Sequence, residues 1–153
     1  MKKEMWISCD TYLARSRRRD DGVFTDFTKY YNGSFSEAGN FGKESIIVPN
    51  SWHSRVVYSL KLKCYIMSYT KNYSNKTIPE GPLSDTVEFR TSTDLIHWSE
   101  PFEIEKNGKL IGNHYNALVS LSDKENSYVI DDECYLLSCH NGTDVKKMKI
   151  SIK

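Results

Sequence analysis

The stretch Ser92-Thr93-Asp94-Leu95-Ile96-His97-Trp98 lies between Val87-Glu88-Phe89-Arg90-Thr91 and, beyond Ser99-Glu100-Pro101, Phe102-Glu103-Ile104. Two short runs of β-forming residues around a polar turn predict a β-hairpin. Ser92 and Asp94 are side chains that accept hydrogen bonds from the backbone of such a turn, and Trp98 is expected to fold back as an apolar plug. Ser92, Asp94 and Trp98 are therefore assigned to structure rather than chemistry, and His97 is grouped with them. The pattern serves as a ruler for the rest of the chain.

Two other runs repeat. Lys63-Cys64-Tyr65-Ile66-Met67-Ser68-Tyr69 and Glu133-Cys134-Tyr135-Leu136-Leu137-Ser138-Cys139 share Cys-Tyr-aliphatic-apolar-Ser, and Met5-Trp6-Ile7-Ser8-Cys9 is a poorer copy. A continuous apolar run of this length reads as a strand buried on both faces. The hairpin recurs in step: Tyr12 to Ser16, an Asp20-Asp21-Gly22 turn and Phe27 to Tyr31 before Asn32-Gly33 parallel the Ser92 hairpin before Asn107-Gly108. Lys147 to Ser151 matches the strand that enters it. A further strand candidate precedes the second and third Cys-Tyr runs, at Arg55 to Leu60 and Tyr115 to Leu121. With the strands of a unit labelled A to D, the order is B-C-D, A-B-C-D, A-B-C.

Four-stranded antiparallel units repeated at such intervals predict an all-β chain, an antiparallel β-propeller segment with one complete blade (43–106) flanked by two incomplete ones (1–35 and 109–153). No window sustains a helical apolar stripe. An antiparallel sandwich is the alternative, but it leaves the in-register copies of two different strands unexplained. An incomplete ring would expose blade edges, so self-association through them is expected.

Composition removes several function classes. The 153 residues carry a formal net charge of +1 with 27% charged and 39% hydrophobic residues, a globular balance without an electrostatic footprint for nucleic acid. The basic run of Arg15 and Arg17 to Arg19 meets Asp20 and Asp21 at once and reads as a solvated turn. No apolar segment approaches the roughly 20 residues that cross a bilayer. The Met1 to Trp6 start lacks the apolar core of a signal peptide, so the chain as written is not expected to be exported. Cys9, Cys64, Cys134 and Cys139 show no Cys/His ligand spacing, so neither a metal nor a cofactor is expected. The Asn-x-Ser/Thr triplets at Asn32, Asn72, Asn75 and Asn141 carry no information in so Ser- and Thr-rich a chain.

The Ser-x-Asp-x-x-x-Trp turn resembles the Asp-box of sialidases, departing from it at Ile96 where Gly is usual. Its Asp-Leu-Ile-His-Trp-Ser core is similar to blade hairpins of five-bladed glycoside hydrolases of the family 43 and family 32 type. The resemblance covers most of the chain as blade pattern and implies a carbohydrate ligand. Such hairpins also occur in propellers without catalytic activity, so a non-catalytic carbohydrate-binding or protein-interaction module is the competing reading.

In an up-and-down blade the D-to-A and B-to-C connections share one face. In the second unit these are the long ones, Gly33 to Trp52 and Thr70 to Ser84, whereas the opposite face has the tight Lys61-Leu62-Lys63 turn and the Asp94 hairpin. His53 and Arg55 enter the inner strand of the second unit, His114, Tyr115 and Asn116 enter that of the third, and His140 sits in the third B-to-C connection. These six are the expected ligand-binding residues, since aromatic and planar polar groups suit sugar rings and hydroxyls.

Catalytic residues stay unassigned. Glycosidases need two carboxyl groups about the scissile bond. The acids on the long-loop face are Glu37, Glu44, Glu80 and Asp85, and none opens an inner strand, where the resemblance places catalytic carboxylates. A sialidase-like site implies several Arg side chains with a Tyr and acid pair; Arg55 is placed for this, with Tyr115 as partner. The segment alone is not expected to be a competent enzyme, because the blades that would close the ring would supply part of the site, although the parent it implies resembles a glycosidase.

Overall fold

Alternation of apolar and polar residues, punctuated by Asn-Gly and Asp-Gly turns, leaves the chain little but extended structure. In the computed structural model, which describes residues 4–9, 12–24, 26–71, 87–106, 109–110, 115–121, 128–140 and 144–152, every regular element among the described residues is a β-strand. Two compact units are formed, Met1–Pro49 and Asn50–Lys153.

The first unit is an antiparallel meander of β1 (Glu4–Cys9), β2 (Tyr12–Arg17), β3 (Thr28–Tyr31) and β4 (Ser34–Ala38), in that order. Between β2 and β3, the Asp21 carboxylate accepts a hydrogen bond from Val23 N (3.0 Å), Gly22 adopts φ +85°, and Arg18 donates to Gly22 O (3.3 Å). The arginine run is thus engaged in a solvent-exposed turn. β4 corrects the expectation of a loop from Gly33 and of a sheet ending near residue 35. Asn32 and Gly33 take φ +46° and +89°, the left-handed pair that turns a hairpin tightly, so the chain reverses instead of leaving the sheet. The returning strand is held by Phe35, which meets the Tyr30 ring edge-on (5.2 Å) and lies under the Arg15 guanidinium (4.1 Å).

The second unit contains β5 (Ser51–Ser59), β6 (Cys64–Lys71), β7 (Val87–Ser92) and β8 (Phe102–Glu103), antiparallel in sequence order, as the A-B-C-D reading requires. The fourth strand is shorter than expected at two residues. β9 (Glu105–Lys106) and β10 (Lys109–Leu110) pair as a separate ribbon. β11 (Ala117–Ser120), β13 (Glu133–His140) and β14 (Asp144–Ser151) form a three-stranded antiparallel sheet in the expected A-B-C order.

One strand departs from the antiparallel expectation. β12 (Val129–Ile130) leaves the sheet of its chain neighbours and pairs parallel to β5, accepting hydrogen bonds from Tyr58 N at Tyr128 O (2.7 Å) and from Leu60 N at Ile130 O (2.9 Å). Tyr58 lies on the outer edge of β5 and Leu60 just past its end, so β12 covers an edge that β6 leaves open. Ile130, with no exposed surface, joins the core at the same point.

The core of the second unit lies between its five-stranded and three-stranded sheets. Val57, Ile66 and Phe89 from one meet Leu118, Cys134 and Leu136 from the other, with Met148 and Ile150 of β14 packed at its margin. β14 shows the period-2 rule plainly: Met148 and Ile150 are half-buried while Lys147 and Lys149 point outward. β6 is buried on both faces, as its apolar run predicted, since Met67 and Tyr69 are as hidden as Ile66 and Ser68.

Candidate functional site

The Ser92 turn is closed by its own side chains. Ser92 Oγ accepts from Asp94 N (3.2 Å) and Leu95 N (2.9 Å), and Asp94 Oδ1 accepts from Ile96 N (2.9 Å) and His97 N (2.8 Å). His97 Nδ1 lies 2.7 Å from Asp94 Oδ2. Partial burial alone would raise the Asp94 carboxyl, but the hydrogen bonds from the His97 side chain and from the His97 and Ile96 amides outweigh it and hold it well below the usual carboxylate range. Trp98 is half-buried and donates its indole N–H to Leu95 O (3.1 Å). The deeper plug is Leu95, which is buried and carries the left-handed backbone, φ +68°, one residue before the position where an Asp-box has Gly.

A network on the same sheet ties this turn to the far end of β6. Arg90 Nη1 donates to Ser99 O (2.7 Å), Arg90 Nε donates to the Tyr69 hydroxyl (2.9 Å), and that hydroxyl donates to Glu88 Oε2 (2.6 Å). Burial pushes the Tyr69 phenol up to about 12, the Glu88 carboxylate adds to the rise, and Arg90 opposes it. Nothing in the linear sequence marked Glu88 as special, because the pairing that makes it so is between strands.

At that end lies a cleft of about 300 Å³ lined by His53, Arg55, Tyr115, Asn116, Leu137, Cys139 and Val145 among others. Four of the six expected ligand residues thus share one concavity. They meet because the start of β5, the approach to β11, the end of β13 and the start of β14 converge there. The volume sits at the lower end of small-molecule sites, roughly 300–1,000 Å³.

The backbone in the cleft is strained at its two aromatic corners. His53 has φ +51° and Tyr115 φ +54°, and their rings lie 4.4 Å apart between centroids. For bulky side chains the left-handed region costs about 1–2 kcal/mol, and such strain clusters at functional positions. A bulge explains His53: between the Trp52–Thr70 and Arg55–Ser68 pairs, His53 and Ser54 together face Tyr69. The extra residue re-aims the strand end.

The other lining groups differ in role. Asn116 is buried and donates to Thr70 Oγ1 (3.4 Å), fixing the approach to β11 against β6. The Arg55 side chain is exposed, with Nη1 donating to Ser54 O (3.0 Å). Tyr115 keeps just over half of its surface open to solvent. His140 is the last residue of β13, paired with Asp144, rather than part of a loop, and its side chain lies outside the described residues. His114 also lies outside them. Leu137, Cys139 and Val145 were not foreseen as lining residues.

The acids do not join the cleft. Glu37 accepts from Lys43 N (3.1 Å) and Glu44 pairs with Lys29 (2.9 Å), both within the first unit, while Glu80 and Asp85 lie outside the described residues. Among the described residues no carboxylate lines the cleft. Chemically, the described lining offers a ring face, a buried carboxamide, a cation and an apolar wall, and the acid pair that hydrolysis needs is not among the described residues. Comparison with protein-family models, with curated proteins and with solved structures finds no match to this chain.

Proposed function

We propose that this chain is a carbohydrate-binding segment of a β-propeller of the glycoside-hydrolase or sialidase-like kind, and that its described cleft binds a sugar without hydrolysing it. The observation that carries the reading is the His53–Tyr115 ring pair, held at left-handed backbone over a concavity that also contains Arg55 and Asn116. A half-exposed tyrosine ring offers a face for the axial C–H groups of a pyranose, and Arg55 offers paired donors to vicinal hydroxyls or to a carboxylate. The blade reading is supported by the A-B-C-D order of β5 to β8, the A-B-C order of β11, β13 and β14, and the core shared by these two sheets.

The test is titration of the purified chain with neutral and acidic saccharides by isothermal calorimetry, alongside a hydrolysis assay on chromogenic glycosides. Binding that is lost in both Tyr115→Ala and His53→Ala, with no turnover by the unaltered chain, is the expected result. Turnover would sink the non-catalytic reading, and saccharide binding indifferent to both substitutions would sink the site.

A further inference from the structure

A second concavity lies between the same two sheets, on the side of the Leu60–Lys63 turn and away from the His53 cleft. Its volume is about 240 Å³, and Ile66, Phe89, Leu118, Cys134 and Ile150 form its walls. Leu62 and Phe102 stand at its edge, 42% and 43% exposed, so apolar surface continues from wall to mouth. Thr91 and Ser151 are the hydroxyl-bearing lining residues.

We infer that this cavity is a binding site for a small neutral hydrocarbon or single- to double-ring aromatic molecule. Four physical points lead there. The space equals that of roughly eight liquid waters, yet a water needs two to four polar partners to stay. Two hydroxyls hold few of them, so water against the apolar walls is poorly bonded and its displacement by apolar matter is favourable. At interior packing density the space takes roughly 180 Å³ of molecule, a bicyclic or short branched skeleton and far less than a peptide segment. The walls bear no charged side chain among the described residues, which selects against ions and zwitterions. Phe89 and Phe102 lie nearly parallel with centroids 5.8 Å apart, so an entering ring meets an aromatic edge already in place.

Cys134 gives the cavity an internal reporter. It has no exposed surface, and burial pushes its thiol up to about 11, so at neutral pH it reacts only when the two walls part transiently. An occupant that touches both walls opposes that parting.

Naphthalene is the probe. Saturation-transfer NMR on the full chain is expected to show naphthalene bound, and the rate of Cys134 alkylation by iodoacetamide, followed by mass spectrometry, to fall by about tenfold at saturating probe through the mass-action stabilisation of the closed form. Ile150→Phe, which fills the space from the edge strand, is expected to abolish the transfer signal while leaving saccharide binding at the His53 cleft unchanged. Where that variant does not fold, the alkylation rate of the unaltered chain decides alone. Absence of naphthalene binding, an unchanged Cys134 rate, or sedimentation showing a second copy of the chain covering the mouth and excluding the probe would each overturn the inference.

Discussion

Replacing Tyr115 by Gly and by Ala separates strain from function at the cleft. Tyr115 sits at φ +54°, where any Cβ costs about 1–2 kcal/mol and glycine nothing. Its ring contact with His53 at 4.4 Å is worth about 0.5–1.5 kcal/mol. Tyr115→Ala keeps the strain and loses the contact, so it lowers stability by about 0.5–1.5 kcal/mol. Tyr115→Gly loses the same contact but relieves the strain, less about 0.5–1 kcal/mol for glycine's freedom in the unfolded chain. The glycine variant should therefore exceed the alanine variant by about 0.5–1 kcal/mol, the reverse of the order at right-handed positions. For a unit of this size the gap is about 4 °C in Tm, read by circular dichroism. Both variants should lose saccharide binding. Alanine as stable as glycine would refute the strain, and saccharide retained by the glycine variant would refute the ring platform.

Lys63→Gly is the matched control away from the cleft: Lys63 is exposed at φ +54°, and thermal unfolding should show a gain of about 0.5–1 kcal/mol with saccharide binding intact. Asp94→Ala removes the acceptor of two backbone amides and the His97 partner in a half-exposed turn, and urea unfolding should show a loss of about 0.5–2 kcal/mol, the range of comparable caps. Because the folded Asp94 carboxyl lies below its unfolded value, its contribution is fully present above about pH 4 and is lost as pH falls through the folded value; Asp94→Asn should flatten the acid limb of the stability profile. Leu136→Ala empties a site with 1% exposure and should cost about 2–5 kcal/mol in chemical unfolding.

What could be read along the chain and what could not divide by range. The two Cys-Tyr strands follow from continuous apolar runs, and the Ser92 turn and the order of β5 to β8 from repeated patterning and turn chemistry, all of which act between near neighbours. β4 differs from the expectation of a loop because Asn32-Gly33, which can end a strand, is also the strongest short hairpin signal and here turns one. β12 could not have been found this way. Val129-Ile130 is too short to show a period, and its partner Tyr58 is some seventy positions distant. The cleft is half legible: His53, Arg55, Tyr115 and Asn116 share the long-loop face in the sequence and one concavity in the structure, but His140 ends a strand, and the bulge that aims His53 is a register shift between strands with no sequence mark.

That register shift also links the two ends of the sheet. Strain of the His53 kind persists only where its surroundings over-determine it, and the residue facing the bulge is Tyr69. Tyr69 is fixed by its short bond to Glu88 and by Arg90, and Arg90 is fixed in turn by Ser99 O just beyond the Ser92 turn. The latch that seemed merely to close a hairpin thus anchors, through one guanidinium, the strand against which the cleft is bulged. Removing the Tyr69 hydroxyl with Tyr69→Phe withdraws one hydrogen bond from buried Glu88, at a cost of about 1–3 kcal/mol, and frees Arg90 from β6. If the bulge depends on that anchor, saccharide affinity falls in Tyr69→Phe even though the substituted atom is not in the cleft lining. Unchanged affinity in a destabilised variant would instead make the bulge a local property of Trp52 to Arg55.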